Sequence, residues 1–195
     1  MKIQVILGST RSGRVGERVA KWVTSVASQM PDFEVQFVDL ADYDLPRFDE
    51  ISPRFNPNRT PDAHVKRWLE TVGEADGYVI VTPEYNHSIP GVLKDALDYL
   101  DFQFQKKPVA IISYGSVGGA RSAEHLKAIL IEAKAAVVPE AVTISAPTAV
   151  IDENGKYSGD TSNAYGPDKS LPVVLGELAW WAKTLKAGRK QTVAV

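Results

Sequence analysis

The sequence predicts an α/β fold: a three-layer sandwich in which a five-stranded parallel sheet, ordered 2-1-3-4-5, carries helices on both faces. Three observations predict it. Short β-branched apolar runs alternate with amphipathic helical stretches along the chain. The strand segments are largely apolar on both faces, as strands buried between two helix layers are. Each strand is followed by a helix, which gives right-handed crossovers. At 195 residues one domain is expected over 1–195, with surface excursions at about 41–61 and 146–170.

Residues 3–7 read as a strand buried on both faces. Val15, Val19, Trp22, Val23, Val26 and Met30 then recur at helical spacing, and Pro31 is expected to close that helix. Residues 33–40 form the second strand, with partly polar alternation. The connection over 41–61 is rich in Pro, Asp, Arg and Asn, and loops this long are functional or mobile. Thr60 before Pro61 predicts an N-cap with proline at the first helical position. Val65, Trp68, Leu69 and Val72 mark the inner face of the helix that follows.

Residues 77–81 are the third strand. A helix opens near Pro90, with Ser88 as its N-cap and Leu93, Ala96, Leu97 and Leu100 facing inward. Residues 108–112 are the fourth strand, and a helix runs over about 122–135. The fifth strand lies within 136–144, its start blurred by Pro139. The excursion over 146–170 is polar. The last helix carries Leu171, Leu175, Leu178, Ala182 and Leu185, with Gly188 as C-cap and a frayed tail. Trp181 belongs to the core side of this helix; Trp180 is exposed or in an oligomer contact.

Composition excludes several functions. The net charge of −2 offers no basic field for nucleic acid or an anionic membrane. There is no cysteine, which rules out thiol catalysis, disulfides and thiolate metal sites, and a cytoplasmic setting is expected. The first apolar run carries Gln4 and breaks at Gly8, so no secretory signal is expected. No apolar run has the length of a membrane span.

In a sheet of this order, ligands bind beyond the carboxyl ends of the strands, where the strand order reverses. The loops that meet there are GSTRSGRVG, TPEYNHSIPG and SYGSVGGARS. The first combines glycines, the hydroxyls of Ser9, Thr10 and Ser12, and the guanidinium forks of Arg11 and Arg14. With the helix N-terminus behind it, this loop predicts an anion, a phosphate group. It is neither a P-loop, since Gly13 is followed by Arg14 and Val15, nor a dinucleotide fingerprint.

The second loop brings Tyr85 and backbone amides, suited to a flat, partly polar heterocycle. Asn86 caps the turn or reaches that ring. Glu84 is a catalytic acid or an ordinary surface carboxylate. His87 has no clustered second ligand and is not expected to hold a metal. In the third loop Gly115, Gly118 and Gly119 permit close approach, Ser116 is a further donor, and Tyr114 faces the ring or covers the sheet end. Arg121 opens a helix, where a cation is unfavourable unless an anion is near. His64 and His125 read as surface residues.

On GSTR, PEYNHSIPGVLKDALD and SYGSVGGARS, the chain resembles the NAD(P)H-dependent FMN reductase family of flavodoxin-like proteins, with its quinone, chromate and azo-reducing members. The resemblance covers about residues 2–144, and the middle motif is its specific part. It implies FMN as cofactor and NADPH or NADH as electron donor. Ser9 and Arg11 would hold the FMN phosphate, with Val15 and Gly16 at the helix start. Arg14, where many members have serine, would add a second fork. Pro83, Glu84, Tyr85 and Asn86 would line the flavin ring, and Tyr114, Gly115, Ser116 and Gly119 its other edge. The implied acceptor is quinone-like or free flavin, with nicotinamide and acceptor taking turns at one ring face. A homodimer or homotetramer is implied as well.

The 41–61 loop, with Tyr43, Arg47, Phe48 and Arg54, walls that face or is a plain surface or dimer-contact loop. A non-catalytic flavodoxin-like electron carrier and a flavin-binding regulatory module are the alternatives. The near-neutral charge argues against the carrier, because flavodoxins are strongly acidic.

Overall fold

The computed structural model describes residues 1–191. Its strands are β1 (Lys2–Leu7), β2 (Glu34–Asp39), β3 (Gly77–Pro83), β4 (Pro108–Gly115) and β5 (Ala136–Ser145). They pair in parallel in the expected order, β2-β1-β3-β4-β5. The helices are α1 (Gly16–Ala27), α2 (Ala63–Gly73), α3 (Gly91–Asp98), α4 (Ala120–Glu132), the short α5 (Pro147–Val150) and α6 (Pro167–Lys190).

The two-residue period of the strands divides the core in two. Ile6, Tyr78, Ile80 and Ile111 face Trp68 of α2, Leu93 of α3 and Leu126 of α4. Val5, Leu7, Val79, Val81 and Ile112 face Val19 and Val23 of α1 and Leu171 and Leu178 of α6. Burying each such aliphatic side chain is worth about 2 kcal/mol. Gln4 interrupts β1 at no evident cost at its nitrogen: Nε2 donates to Gln36 Oε1 at 2.9 Å and to Thr71 O at 2.8 Å.

Several helix ends differ from expectation, each for a local reason. Asp62, not Thr60, caps α2, its carboxylate accepting from His64 N–H at 2.8 Å. Ser88 does not cap α3; its backbone is paired with Tyr85 and its hydroxyl lies 3.0 Å from His125 Nδ1. α1 ends at Ala27, and hydrogen-bonded turns carry the chain to Met30. Gly188 lies inside α6, which runs to Lys190, so residues 188–190 of the tail expected to fray over 188–195 are helical; 192–195 lie outside the described residues.

Pro139 sits in a bulge of β5, where the register with β4 slips between Val109 and Ile111, and it and Glu140 face solvent. The excursion after β5 is only partly at the surface. Ile151 is buried and bridges Tyr157, whose ring stacks on Trp22 of α1 with centroids 5.4 Å apart. Trp181 packs against the core and Trp180 is exposed.

At the opposite end of the sheet from the three loops, Lys107 is buried among Gly73, Tyr78 and Phe104. Its Nζ donates to Gly73 O at 2.8 Å and to the Tyr78 hydroxyl at 3.2 Å. Asp76 nearby is paired with Lys186 and Arg189 of α6. Burial pushes the Lys107 ammonium down to about 8, with Arg189 adding repulsion and Asp76 opposing it. The unfolded chain holds that proton up to about pH 10.4. Between about pH 8 and 10 the unfolded state therefore binds more protons, and this group makes stability rise with pH. Above that window Tyr78 acts the other way, because burial pushes its phenol up. Lys107→Met is expected to remove the rise, as read from urea midpoints at about pH 7.5 and 9.5.

Candidate active site

The three loops meet at the carboxyl edge of β1, β3 and β4, and their backbones lock to one another. Gly8 N–H donates to Val81 O at 2.9 Å, and Glu84 N–H to Tyr114 O at 3.0 Å. A Cβ on Gly8 would stand 2.7 Å from Leu93 Cδ2 and 3.3 Å from Val81 O, so any larger residue here displaces the buried Leu93 side chain. In the first loop, Gly8 and Arg14 are the residues whose N–H groups donate to a backbone carbonyl, among the described residues. Val15 opens α1 with no side-chain cap. The loop thus offers unused N–H groups beside a helix N-terminus, which is an anion-binding arrangement.

The two arginines of this loop are in different situations. Arg14 is mostly buried and bonded to the Asp39 carboxylate, to Ser9 O and, at 3.1 Å, to Glu17. Burial opposes its charge, but Asp39 and Glu17 outweigh that and hold the guanidinium ionised. Its fork ties the first loop to the end of β2 and is not open to an outside phosphate as the resemblance implied. Arg11 is exposed, with its guanidinium carbon 5.5 Å from the centroid of the Tyr85 ring. Ser9 is buried, its Oγ 2.9 Å from the Tyr85 hydroxyl.

The second loop is a tight hairpin. Tyr85 and Ser88 exchange N–H···O bonds of 2.9 and 3.0 Å, and the residues between them, Asn86 and His87, have φ of 48° and 68°. Positive φ at both central residues is what a two-residue hairpin demands. Asn86 tolerates it well; His87 bears some strain. Both side chains are exposed.

Glu84 supplies the anion that Arg121 lacked in the sequence. Its carboxylate accepts from Arg121 Nε at 2.7 Å and from Arg121 N–H at 3.1 Å, in the first turn of α4. Burial raises this carboxyl, but the bonds from Arg121 prevail and hold it below the ordinary carboxylate range. Glu84 is ionised at neutral pH and is no proton donor there.

In the third loop Gly118 and Gly119 have φ of 74° and 77°, and a Cβ on Gly119 would lie 2.7 Å from Tyr114 N. Ser113 and Ser122 hydroxyls donate to Gly118 O and Gly119 O at 2.9 and 2.8 Å, which fixes the loop. Tyr114 is buried and its hydroxyl has no hydrogen-bond partner. That hydroxyl lies so close under α1 that a Cβ on Gly16 would stand 2.5 Å from it. Burial pushes the phenol far above its ordinary value, so its O–H remains a donor.

A cleft of about 310 Å³ runs over this edge, lined by Arg11, Val15, Pro83, Glu84, Tyr85, Tyr114, Gly115 and Ser116. Ala146, Pro147 and Thr148 complete it. Sequence reasoning placed those three in a surface excursion. The available signal was that the fifth strand ends on the same edge as the others. Asn86 and Gly119 adjoin this cleft in sequence. Gly16 meets it through Tyr114, and Ser9 through Tyr85. A second cleft, about 660 Å³, lies on the other side of Arg11 and Tyr85, toward α3. No cluster of metal-ligating side chains occurs among the described residues.

Residues 1–149 match the family model described as NADPH-dependent FMN reductase. The chain is 36% identical over 179 residues to an NAD(P)H-dependent FMN reductase of Schizosaccharomyces pombe, covering 87% of this chain and 90% of that one. It is 31% identical over 199 residues to the 2-hydroxy-1,4-benzoquinone reductase of a Burkholderia species, covering 94% and 97%. Among solved structures, FerB, a flavoenzyme NAD(P)H:(acceptor) oxidoreductase of Paracoccus denitrificans, superposes with a TM-score of 0.68 at 21% identity, covering 95% of this chain and 97% of that one. That likeness bears on the fold. With a sheet ordered 2-1-3-4-5 and a family match over residues 1–149, the chain belongs to the NADPH-dependent FMN reductase family and has its flavodoxin-like fold.

Proposed function

We propose that the 310 Å³ cleft holds FMN and that the protein passes electrons from NADPH or NADH to a quinone-like acceptor or free flavin. The observation that carries this is the buried, unpartnered Tyr114 hydroxyl beneath the start of α1. An orphaned buried donor costs about 1–3 kcal/mol, and a phosphate or ribityl oxygen relieves that cost. The unused N–H groups of the first loop and the unpaired Arg11 fit the same anion. When bound, FMN supplies the hydride and electron chemistry, which agrees with a site that holds no acid–base pair.

The protein's own groups bind and orient. Ser9 fixes the Tyr85 ring through its hydroxyl, and Arg11 lies over that ring, where it meets the phosphate. Backbone amides at Asn86, Gly115 and Ser116 would serve the polar edges of the flavin ring, and Pro83 and Tyr85 would flank it. Glu84 holds the second and third loops together through Arg121. Val15, Gly16 and Gly119 keep the backbone near the ligand, and Arg14 braces the loop from behind.

The names of similar proteins, a benzoquinone reductase among them, support the quinone-like acceptor. NAD(P)H as donor supports a cytoplasmic setting. Among the described residues no helix is long and apolar enough to cross a membrane. A homodimer or homotetramer is part of the same reading. It is supported by a groove of about 360 Å³ between residues 52–55, α3 and α4, whose elements expose Phe55 and Ile131.

FMN-reconstituted protein is expected to lose its visible flavin absorbance when NADPH or NADH is added without oxygen; no bleaching with either overturns the reading. Arg11→Ala is expected to weaken FMN binding about tenfold or more, as measured by flavin fluorescence titration. Tyr114→Phe is expected to leave the FMN-free protein as stable or up to about 2 kcal/mol more stable, while weakening FMN binding several-fold. Unchanged FMN affinity in that variant would place the hydroxyl away from the ligand.

A further inference from the structure

The larger cleft, about 660 Å³, adjoins the flavin cleft, shares Arg11 and Tyr85 with it, and is lined by Ser9 and Thr10 of the first loop as well. It opens between the first loop, the segment after β2 and the start of α3, with Arg11 and Arg47 on its walls. The chain has nine arginines. Seven of them, Arg14, Arg18, Arg54, Arg59, Arg67, Arg121 and Arg189, donate hydrogen bonds to a carboxylate or a backbone carbonyl. The guanidinium groups of Arg11 and Arg47 have neither an ion pair nor a hydrogen bond among the described residues, and both residues line this one cleft.

The other charged groups there do not neutralise them. Lys94 is paired with Asp98 on its own helix at 2.6 Å; the Asp95 carboxylate accepts from Phe48 N–H at 3.3 Å and, though charged, forms no ion pair with either arginine. Asp44 lies at an adjoining hollow that shares Thr10, Leu45 and Val92 with the cleft. α3 also opens there, after Pro90, with no side-chain cap. Two free forks on one cleft suit an anion with several oxygens, and a phosphate monoester matches guanidinium geometry.

We propose that this cleft receives the 2′-phosphate end of NADPH, and that Arg47 is the residue that distinguishes NADPH from NADH. The proposal rests on the reading of the protein as an NAD(P)H oxidoreductase. NADPH and NADH differ only in that phosphate, so discrimination requires a cation beside it that nothing else neutralises. Arg11 and Tyr85 border both clefts, so a dinucleotide whose nicotinamide reaches the flavin cleft crosses directly into the second one. Arg11 is shared with the flavin phosphate; Arg47 lines the second cleft and not the first.

The test is a calorimetric titration of FMN-loaded protein with adenosine 2′,5′-bisphosphate and with AMP. The bisphosphate is expected to bind about tenfold tighter, and Arg47→Gln to abolish that difference. In turnover, the ratio of the NADPH KM to the NADH KM is expected to rise about tenfold in the same variant. Equal affinities in the unaltered protein, or a preference that survives Arg47→Gln, overturn the proposal. Loss of FMN retention in the variant overturns it too, because Arg47 would then serve the flavin phosphate. The titration needs no turnover. A protein that prefers the bisphosphate but is not bleached by NADPH would defeat the reductase reading and leave this subsite standing.

Discussion

Leu7 stands opposite Asp39 on one side and Val81 on the other, and that parallel register is the constraint from which the site follows. It brings β1, β2 and β3 to an end at one level, so the loops after them share one edge. It also puts the Asp39 carboxylate beside Arg14, a residue 25 positions earlier. With Thr82 opposite Ser113 and Pro83 opposite Tyr114, the same level extends across β4. A one-residue slip would turn each strand's core side chains to the wrong helix layer. The binding edge is therefore held by the same burial that holds the core.

Charge at that edge is divided by role. Arg14 and Arg121 are cations consumed by carboxylates of the protein, Asp39 and Glu84, and they clamp loops. Both pairs join segments distant in sequence; Arg14–Asp39 is shielded enough from solvent to matter more than an ordinary surface pair, while Arg121 is exposed. The guanidinium groups of Arg11 and Arg47 have no such partner among the described residues. The near-neutral net charge hides this division, since it reports the sum and not which cations are free.

The sheet order and both helix layers were legible because they rest on periodicity, which is local. So was the convergence of the three loops, which follows from strand order. What escaped depends on partners far along the chain. Nothing near Arg14 says that its fork belongs to Asp39, and Arg121 looked misplaced until Glu84 was seen against it. The α2 cap moved from Thr60 to Asp62 because two residues of capping type, on either side of Pro61, compete, and geometry alone decides. Ala146, Pro147 and Thr148 looked like the start of a loop; only the length of β5 brings them to the cleft. Tyr114 was singled out from the sequence, but the direction of its hydroxyl, toward α1, was not readable.

The bulge at Pro139 reaches beyond β5 itself. β5 forms one edge of the sheet, and an edge strand offers its free N–H and C=O groups to any extended chain that passes. Proline has no N–H to offer, and the slipped register breaks the row of remaining groups. The stretch of β5 open to an added strand is thereby cut to the residues after the bulge, 141–145, too short a template for open-ended growth of the sheet.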